Sequence, residues 1–451
     1  MIDPLLDRFA QHAPVATMAR AILANILSDQ ELDQIFRDSA VQQRQGELLF
    51  SSVVSLLHLA VFKSKPSLHA AYVSRKEQLD VSVKSVYDKL AGTEMSVIRQ
   101  LVRQTASKIA AVQDALQSPQ QFILPGYEVR ILDGSHLRAT ERRLDVQRQL
   151  NGAPLPGQAL VVLNPQRMLV EDVFPCECGH SQERLILHQL IEVLEPGIVW
   201  ITDRNFCTSV WLQEVNLNQS WFITRRHASF SYRSGGELEL IGTTSTATVY
   251  EQSVLHVDSQ GTELTLRRIV LKLNAPTSDG DTEIEVLTNL PASVSAISIA
   301  DAYQMRWTIE GVFSELTLSL RGEIDTLAYP PAALLAYALA LVSYNVLSLI
   351  KRVIEVVQGR EVSSEMSMYY MAEEIASTLP GMEIAISSHD WSQRYGSMPP
   401  PTLAEELSHM AKRIELRRYR KHRRAAKKPQ PKRTGSYQHV STQKLINNQK
   451  R

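Results

Sequence analysis

Three acidic residues are the first candidates for chemistry in this sequence. Asp133 ends the apolar segment YEVRILD, and Asp203 ends a second apolar segment, GIVWITD. Both segments are typical of buried strands, and side chains at the ends of neighbouring strands of an α/β sheet lie close together. The third acid, Glu310, lies in a predicted helix. Converging carboxylates suit Mg²⁺, with Mn²⁺ as a substitute, and such ions can activate a displacement at phosphorus.

The segment DAYQMRWTIEGVFSELTLSLRG predicts a helix that carries the third acid. At about 100° per residue, Tyr303, Arg306 and Glu310 share one polar stripe beside the apolar face of that helix. A carboxylate in this place lies at the rim of a core, where it can be held rigidly. A surface stripe with an Arg–Glu pair would give the same pattern, so the helix alone does not decide between the two interpretations.

The surroundings of the three acids carry a family resemblance. The sequence resembles the insertion-sequence DDE transposases of the RNase H-like superfamily, in particular the family with the signature Tyr-x2-Arg-x3-Glu-x6-Lys (insertion sequence 4 type). The motifs ILDGSHLRAT, ITDRNFCT and YQMRWTIEGVF carry this resemblance, and the third has Tyr, Arg and Glu at the family spacing. It covers residues 127–351. Without these motifs, three acids among the 48 of the chain would be a weak signal.

The resemblance implies an α/β RNase H-like catalytic domain that is interrupted by a β-strand insertion. It implies hydrolysis of a phosphodiester at each element end, followed by transesterification into target DNA. Asp133, Asp203 and Glu310 would be the catalytic metal ligands. Tyr303 and Arg306 would contact phosphates at the terminal inverted repeats, the arginine through bidentate hydrogen bonds. A homodimer assembled on double-stranded DNA is also implied.

Further DNA contacts follow from the same resemblance, with alternatives. Arg204, beside the second acid, would touch the substrate backbone or pair with an acid. Trp307 would stack on a nucleotide or be buried. The family lysine is replaced by Thr317, which cannot supply a charge to a phosphate. Arg321, one turn further along the same predicted face, is the expected substitute, and Gly322 is expected to end the helix.

Changes in the apolar pattern divide the chain into five parts with helical N- and C-terminal regions. These parts are a helical DNA-binding region (1–125), the first part of the catalytic domain (126–230), the β insertion (231–292), the second part of the catalytic domain (293–375) and a C-terminal region with a basic DNA-binding tail (376–451). Two local predictions belong to these parts: an amphipathic helix over residues 181–194, and a region rich in loops over residues 377–401.

A helix, a turn and a second helix are predicted for residues 67–92. Such a motif can read the major groove of DNA, although many helical hairpins do not bind DNA. The second helix would present Lys84 and Lys89 outward, so both are candidate DNA contacts.

Charge is distributed unevenly along the chain. The net charge is zero, yet residues 412–451 contain 15 lysines and arginines and one acid. Such a basic segment favours binding to a polyanion, and double-stranded DNA is the predicted partner. The alternative is a solvated tail that binds nothing. Three cysteines and the lack of a signal-peptide pattern at the start favour a reducing, cytoplasmic location, in a prokaryote beside the nucleoid.

Several further signals are given less weight. Ala332–Ile350 is long and apolar enough to cross a bilayer, but a buried core helix is the preferred interpretation. Cys176, Cys178 and His180 are spaced too tightly for an ordinary zinc site. His136 is a candidate for proton transfer near the metal. Two other functions stay open: a non-transposing RNase H-like nuclease, and a domesticated or inactive DNA-binding relative, which the missing lysine would suit.

Overall fold

The computed structural model describes residues 3–117, 122–138, 155–277 and 280–422. Helices precede and follow a large mixed sheet in these parts of the chain, so the predicted α/β class is confirmed. Of the basic segment 412–451, residues 423–451 lie outside the described residues, so the structure does not test the predicted tail.

The N-terminal part consists of helices joined by short connections. They are α1 (Asp3–His12), α2 (Pro14–Ile26), α3 (Asp29–Ser39), α4 (Phe50–Val61), α5 (Leu68–Ser74), α6 (Val83–Ala91) and α7 (Met95–Ala115). Serine side chains cap three of them: Ser28, Ser67 and Ser82 each accept a hydrogen bond from a backbone N–H in the first turn. Such caps satisfy N–H groups that have no partner inside the helix. The predicted helix–turn–helix of residues 67–92 corresponds to α5 and α6.

Ten strands form one sheet within the described residues. They are β1 (Glu128–Leu137), β2 (Gly157–Asn164), β3 (Leu169–Cys176), β4 (Ile198–Thr202), β5 (Trp221–Arg225), β6 (Arg233–Ser234), β7 (Glu239–Thr243), β8 (Ala247–Val257), β9 (Glu263–Leu273) and β10 (Glu283–Thr288). Their order is β3-β2-β1-β4-β5-β10-β9-β8-β6, and β7 pairs with β8. Strands β1, β4 and β5 are parallel, whereas the other pairings are antiparallel.

The strands of residues 231–292 continue the central sheet. Strand β10 pairs with β5 on one side and with β9 on the other, so β6 to β10 extend the sheet instead of forming a separate layer. The sequence predicts these strands, but their alternation does not indicate where they attach.

The central strands β2, β4 and β5 are buried on both faces, and their sequences are nearly continuous apolar runs, as is typical of such strands. Along β1, Val129 and Ile131 face the core shared with the N-terminal helices, and Leu132 faces a second core. The second core is covered by α8 (Leu187–Ile191) and α9 (Ser209–Leu217), with Trp211 fully buried. The long amphipathic helix predicted for residues 181–194 is therefore wrong, since that segment holds a 3₁₀ turn and the short α8.

The C-terminal part is helical. After the sheet follow α10 (Ala296–Gln304), α11 (Trp307–Leu318), α12 (Pro330–Gln358), α13 (Arg360–Glu365), α14 (Met368–Ala385), α15 (Ser388–Tyr395) and α16 (Pro400–Ala411). The loops predicted for residues 377–401 are therefore wrong. Helix α12 packs against α7 and the strands β2 and β3. It is long and apolar enough to span a membrane, but its most apolar stretch is wholly buried inside the molecule.

The N- and C-terminal helices pack against each other. The Asn25 amide donates to the carbonyls of Tyr395 and Met398, and the buried carboxylate of Glu374 accepts a hydrogen bond from the Ala16 N–H. Glu374 also pairs with Arg418, close to the start of the basic tail. These contacts join the two ends of the described chain into one helical layer beside the sheet.

Candidate active site

Asp133 and Asp203 are brought together by the register of two parallel strands. Leu132 of β1 pairs with Thr202 of β4, and each acid is the next residue along its own chain segment. The two acids therefore lie at the same level on adjacent strands. Strand β1 does not end at its acid, as the sequence predicted, but continues to Leu137 in pairing with β2. The continued pairing fixes the backbone on both sides of Asp133.

Asp133 is a largely buried carboxylate. Its side chain is 18% exposed, and one of its oxygens accepts a hydrogen bond from the Gly134 N–H at 2.8 Å. Burial, which penalises the charged form, raises its pKa to about 7, against the opposing effect of Arg306. The carboxylates of Glu183 and Asp203 raise the pKa further. Asp133 therefore lies where additional positive charge would stabilise it.

The helix predicted to carry Tyr303, Arg306 and Glu310 is two helices. Helix α10 ends at Gln304, α11 begins at Trp307, and Arg306 lies in the break between them. Arg306 and Glu310 nevertheless lie close together, as predicted, because the Arg306 guanidinium donates to the Glu310 carboxylate at 2.9 Å. A second nitrogen of Arg306 donates to Asp133 at 3.3 Å. Arg306 thus connects the first and third acids.

Burial and charge hold Arg306 in this position. Only 7% of the residue is exposed. Burial works against its charged form, but Tyr303, Asp203, Asp133 and Glu310 together raise its pKa. Tyr303 is buried as well, and its pKa is raised mainly by burial, with the Asp203 charge adding to the effect. Glu310 is more accessible than Asp133 and Arg306, since 42% of its side chain is exposed.

One site therefore contains Asp133 of β1, Asp203 directly after β4, Arg306 and the helical Glu310. Residues 124–346 match the transposase DDE domain. The match spans just under half of the chain, includes all three acids, and supports a DDE transposase that acts in transposition. No curated protein matches the sequence significantly.

Arg306 occupies the space between the acids of the DDE domain. In the described parts of the chain, no three Asp, Glu, His or Cys side chains are grouped closely enough to hold a metal ion. The three acids offer the oxygen donors that Mg²⁺ prefers. With the Arg306 cation inserted between Asp133 and Glu310, however, the arrangement is that of an ion-paired site.

Two further predicted DNA contacts lie at the surface of the DDE domain. Trp307 is 55% exposed, and the Arg306 guanidinium lies 4.6 Å from the centroid of its ring. Arg204 is exposed in the 3₁₀ turn that follows Asp203. Thr317, at the position of the family lysine, is exposed on α11, and its hydroxyl donates to the Phe313 carbonyl.

Arg321 does not lie on the predicted helical face. Helix α11 ends at Leu318, before Arg321 is reached, and the Arg321 guanidinium donates to the carbonyls of Lys65 and Pro66. The Arg321 N–H donates to the Val61 carbonyl at 2.9 Å, and Lys63 donates to the Leu318 carbonyl at 2.8 Å. Arg321 therefore ties the end of α11 to the connection between α4 and α5.

The two lysines of α6 differ. Lys84 is exposed, as predicted, whereas Lys89 is half-buried. The Lys89 ammonium donates to the carbonyls of Arg44 and Gln45 and lies 4.2 Å from the centroid of the Phe36 ring. Burial lowers the Lys89 pKa. The expectation that Lys89 points outward is wrong, because its ammonium serves contacts within the N-terminal part.

A group of basic residues beside the acids was not among the sequence-based candidates. Arg225 ends β5, the next parallel strand after β4, and Arg226 and His227 follow it. With Arg204 they line a cavity of about 290 Å³, together with Glu283 and Glu285. The sequence contains a pattern that could have identified these residues: two adjacent arginines follow the apolar run WFIT, just as Asp203 follows GIVWIT.

Proposed function

We propose that this chain is an insertion-sequence transposase that cuts DNA at the element ends and joins the freed 3′-hydroxyls to target DNA. Asp133, Asp203 and Glu310 would be the catalytic metal ligands. The observation that carries the proposal is the pairing of Leu132 with Thr202, which brings the first two acids to the same level of the sheet. The match to the transposase DDE domain supports the same chemistry.

The strand order supports an RNase H-like catalytic domain. Strands β3, β2 and β1 form an antiparallel unit, and β4 and β5 add parallel to β1. Residues 231–292 would be the family insertion, since their strands lie between the second and third acids in the sequence. The catalytic domain would thus comprise residues 126–230 and 293–375.

The three acids fit Mg²⁺, or Mn²⁺ as its substitute, by their chemistry. Hard carboxylate oxygens are the preferred donors for both ions, with water and phosphate oxygens completing the coordination. A bound ion would supply charge stabilisation and an activated oxygen nucleophile at the scissile phosphate. Burial and the charges of Glu183 and Asp203 raise the pKa of Asp133, so a bound cation would stabilise its charged form.

Arg306 would change partners when DNA binds. A DNA phosphate can accept bidentate hydrogen bonds from a guanidinium as a carboxylate does. Release of Asp133 and Glu310 by Arg306 would then leave both acids available to the metal. The exposed side chain of Glu310 can reorient more easily than the buried Asp133. In this proposal the ion-paired site is the state without DNA.

Other DNA contacts of the proposed transposase surround this centre. Trp307 would stack on a nucleotide, and Tyr303 and Arg204 would help to hold the element end, next to the basic residues that line the cavity after β5. Residues 1–125, through Lys84 in the helix–turn–helix, and the basic tail would bind further DNA. A homodimer on DNA would pair two ends, in the cytoplasm beside the nucleoid.

The proposal is tested with labelled DNA that carries the element's own flanking ends. In Mg²⁺ the wild-type chain is expected to cut at the ends and join them to target DNA, and Glu310→Gln is expected to bind the same ends without cutting. Glu315→Gln, on the same helix, is the matched control and should cut normally. If wild type binds but cuts in neither Mg²⁺ nor Mn²⁺, the chain is an inactive relative. Cutting without joining would identify a nuclease.

A further inference from the structure

Glu183 is an additional acid that lies directly beside the first acid of the DDE site. It begins a 3₁₀ turn, Glu183–Leu185, between β3 and β4, and its side chain is 14% exposed. A Cβ atom added to Gly134 would lie 2.0 Å from its carboxylate, and the three atoms nearest to that Cβ all belong to Glu183. The glycine after Asp133 therefore leaves the space that the Glu183 carboxylate fills.

The Glu183 carboxylate contacts the chain segment of Asp133 and the chain segment of Asp203. One oxygen lies 3.9 Å from Nδ1 of His136, on β1 shortly after Asp133. The other accepts a hydrogen bond from the Asn205 amide at 3.5 Å. Asn205 belongs to the turn that follows Asp203. Glu183 therefore bridges the segment of the first acid and the segment of the second.

We propose that Glu183 is a positioning residue for the DDE reaction. This inference rests on the proposed function, because it concerns the same metal-binding acids. By holding Asn205 and the Gly134–His136 segment, Glu183 sets how far the Asp203 turn can move from Asp133. Residues that orient metal ligands in this way affect metal affinity without themselves binding the metal. Backbone pairing of β1 with β4 ends at Thr202, so this side-chain bridge acts where the sheet no longer holds the turn.

The first test is Mn²⁺ binding to the full chain in complex with DNA that carries the already cut element ends, because Arg306 holds Asp133 and Glu310 in the state without DNA. Calorimetry measures the affinity, with the heat of Mn²⁺ binding to the DNA alone subtracted. Glu183→Ala is expected to weaken Mn²⁺ affinity by about 10-fold, the lower end of the range for such residues. Glu192→Ala, an exposed glutamate further along the same connection, is the control and should bind as wild type does. Asn205→Ala should weaken binding similarly, and the double variant should be little weaker than either single one, because both remove the same bridge.

Gly134→Ala provides a second variant in which Glu183 is intact. The added methyl group displaces the carboxylate and meets no other residue as closely, so Mn²⁺ affinity should fall as in Glu183→Ala. The double variant Gly134→Ala/Glu183→Ala should be no weaker than Glu183→Ala alone. If the melting temperature of Glu183→Ala shows that this variant folds poorly, the single variant Gly134→Ala still decides the question.

Asp203→Asn separates this inference from the proposed function. If Asp203→Asn loses Mn²⁺ affinity while Glu183→Ala and Gly134→Ala stay within about twofold of wild type, the positioning role is overturned and the metal site stands. If wild type binds no Mn²⁺, or binds it as Asp203→Asn does, both the metal site and the role of Glu183 are overturned. Weaker binding in all three variants, with normal binding by Glu192→Ala, supports both.

Discussion

At the scale of single residues, Asp133 combines burial with the charges of Glu183 and Asp203. Its pKa is raised to about 7, so the folded chain without metal holds a proton that the unfolded chain releases near pH 4. The folded state therefore binds more protons than the unfolded state between these two values. The contribution of Asp133 to stability is then lost as the pH rises from about 4 to 7.

The resulting prediction concerns stability as a function of pH. Without metal, Asp133→Asn should be more stable than wild type at pH 8, by an amount on the order of a few kcal/mol, and the difference should vanish near pH 4. Thermal melts at the two pH values measure it. If Asp133→Asn is instead less stable than wild type by the same amount at both pH values, loss of the ion pair with Arg306 outweighs the relief of the buried charge.

Metal binding should show the same coupling. Because Mg²⁺ requires a deprotonated carboxylate, it should raise the melting temperature of wild type bound to element-end DNA more at pH 8 than at pH 6. In Asp133→Asn the Mg²⁺ effect should be small at both values. An equal Mg²⁺ effect at pH 6 and pH 8 would contradict a role for Asp133 as a ligand that must lose its proton.

Site residues could be predicted from the sequence where a local pattern alone indicates their position. Asp133 and Asp203 could be placed together because each follows an apolar run of strand type, and parallel neighbours align such ends. Glu183 could not be found in this way, since it lies in a short turn and is distant in sequence from Gly134, the residue that it contacts. The contact depends on tertiary packing, which no local spacing encodes.

At the scale of secondary-structure elements, the end of α11 shows where periodicity misleads. A helical wheel assumes one regular helix from Tyr303 to Arg321. In the structure the helix is interrupted at Arg306, and the second helix ends at Leu318. Beyond Leu318 the backbone and the Arg321 side chain form hydrogen bonds with the connection between α4 and α5 instead of continuing the helix. The helices of residues 377–401 were missed for a related reason, because Pro380 lies inside α14 and proline normally ends a helix.

The contacts of Arg321 predict its effect on stability. Arg321→Ala should lower the free energy of unfolding by about 1–3 kcal/mol, since it removes charged hydrogen bonds to two carbonyls and leaves those carbonyls to find other partners. Arg204→Ala, at an exposed position, should change stability little. Denaturant titration of both variants measures this. Weaker DNA binding by Arg321→Ala at unchanged stability would instead support the interpretation of Arg321 as a direct DNA contact.

At the scale of the whole molecule, the charge segregation predicts how DNA affinity depends on salt. Removal of residues 423–451 takes away nine lysines and arginines and no acid. DNA affinity should fall, and the slope of log affinity against log salt should become shallower by about 0.9 for each phosphate that the tail no longer neutralises. Binding measured at several salt concentrations tests this on cleavage-deficient Glu310→Gln. An unchanged slope would mean that the tail is a solvated segment that does not touch DNA.

The overall class and the helical ends could be predicted because they depend on composition and periodicity over long stretches. The attachment of β10 to β5 could not, because strand pairing across the sheet is decided by tertiary contacts and not by the alternation within each strand. The same holds for the packing of α2 against the C-terminal helices, which joins residues near opposite ends of the chain.

The bonds between the end of α11 and the connection after α4 make the position of the third acid depend on two parts of the molecule. Asp133 and Asp203 are placed by backbone pairing within the sheet, whereas the chain after the helix of Glu310 is bonded to Val61, Lys65 and Pro66, just ahead of α5. In the proposed transposase, a shift of the N-terminal helices on binding DNA would therefore act directly on the chain that follows the helix of Glu310. The proposed transposase would then have a mechanical checkpoint, in which capture of an element end adjusts the third acid of the cutting centre.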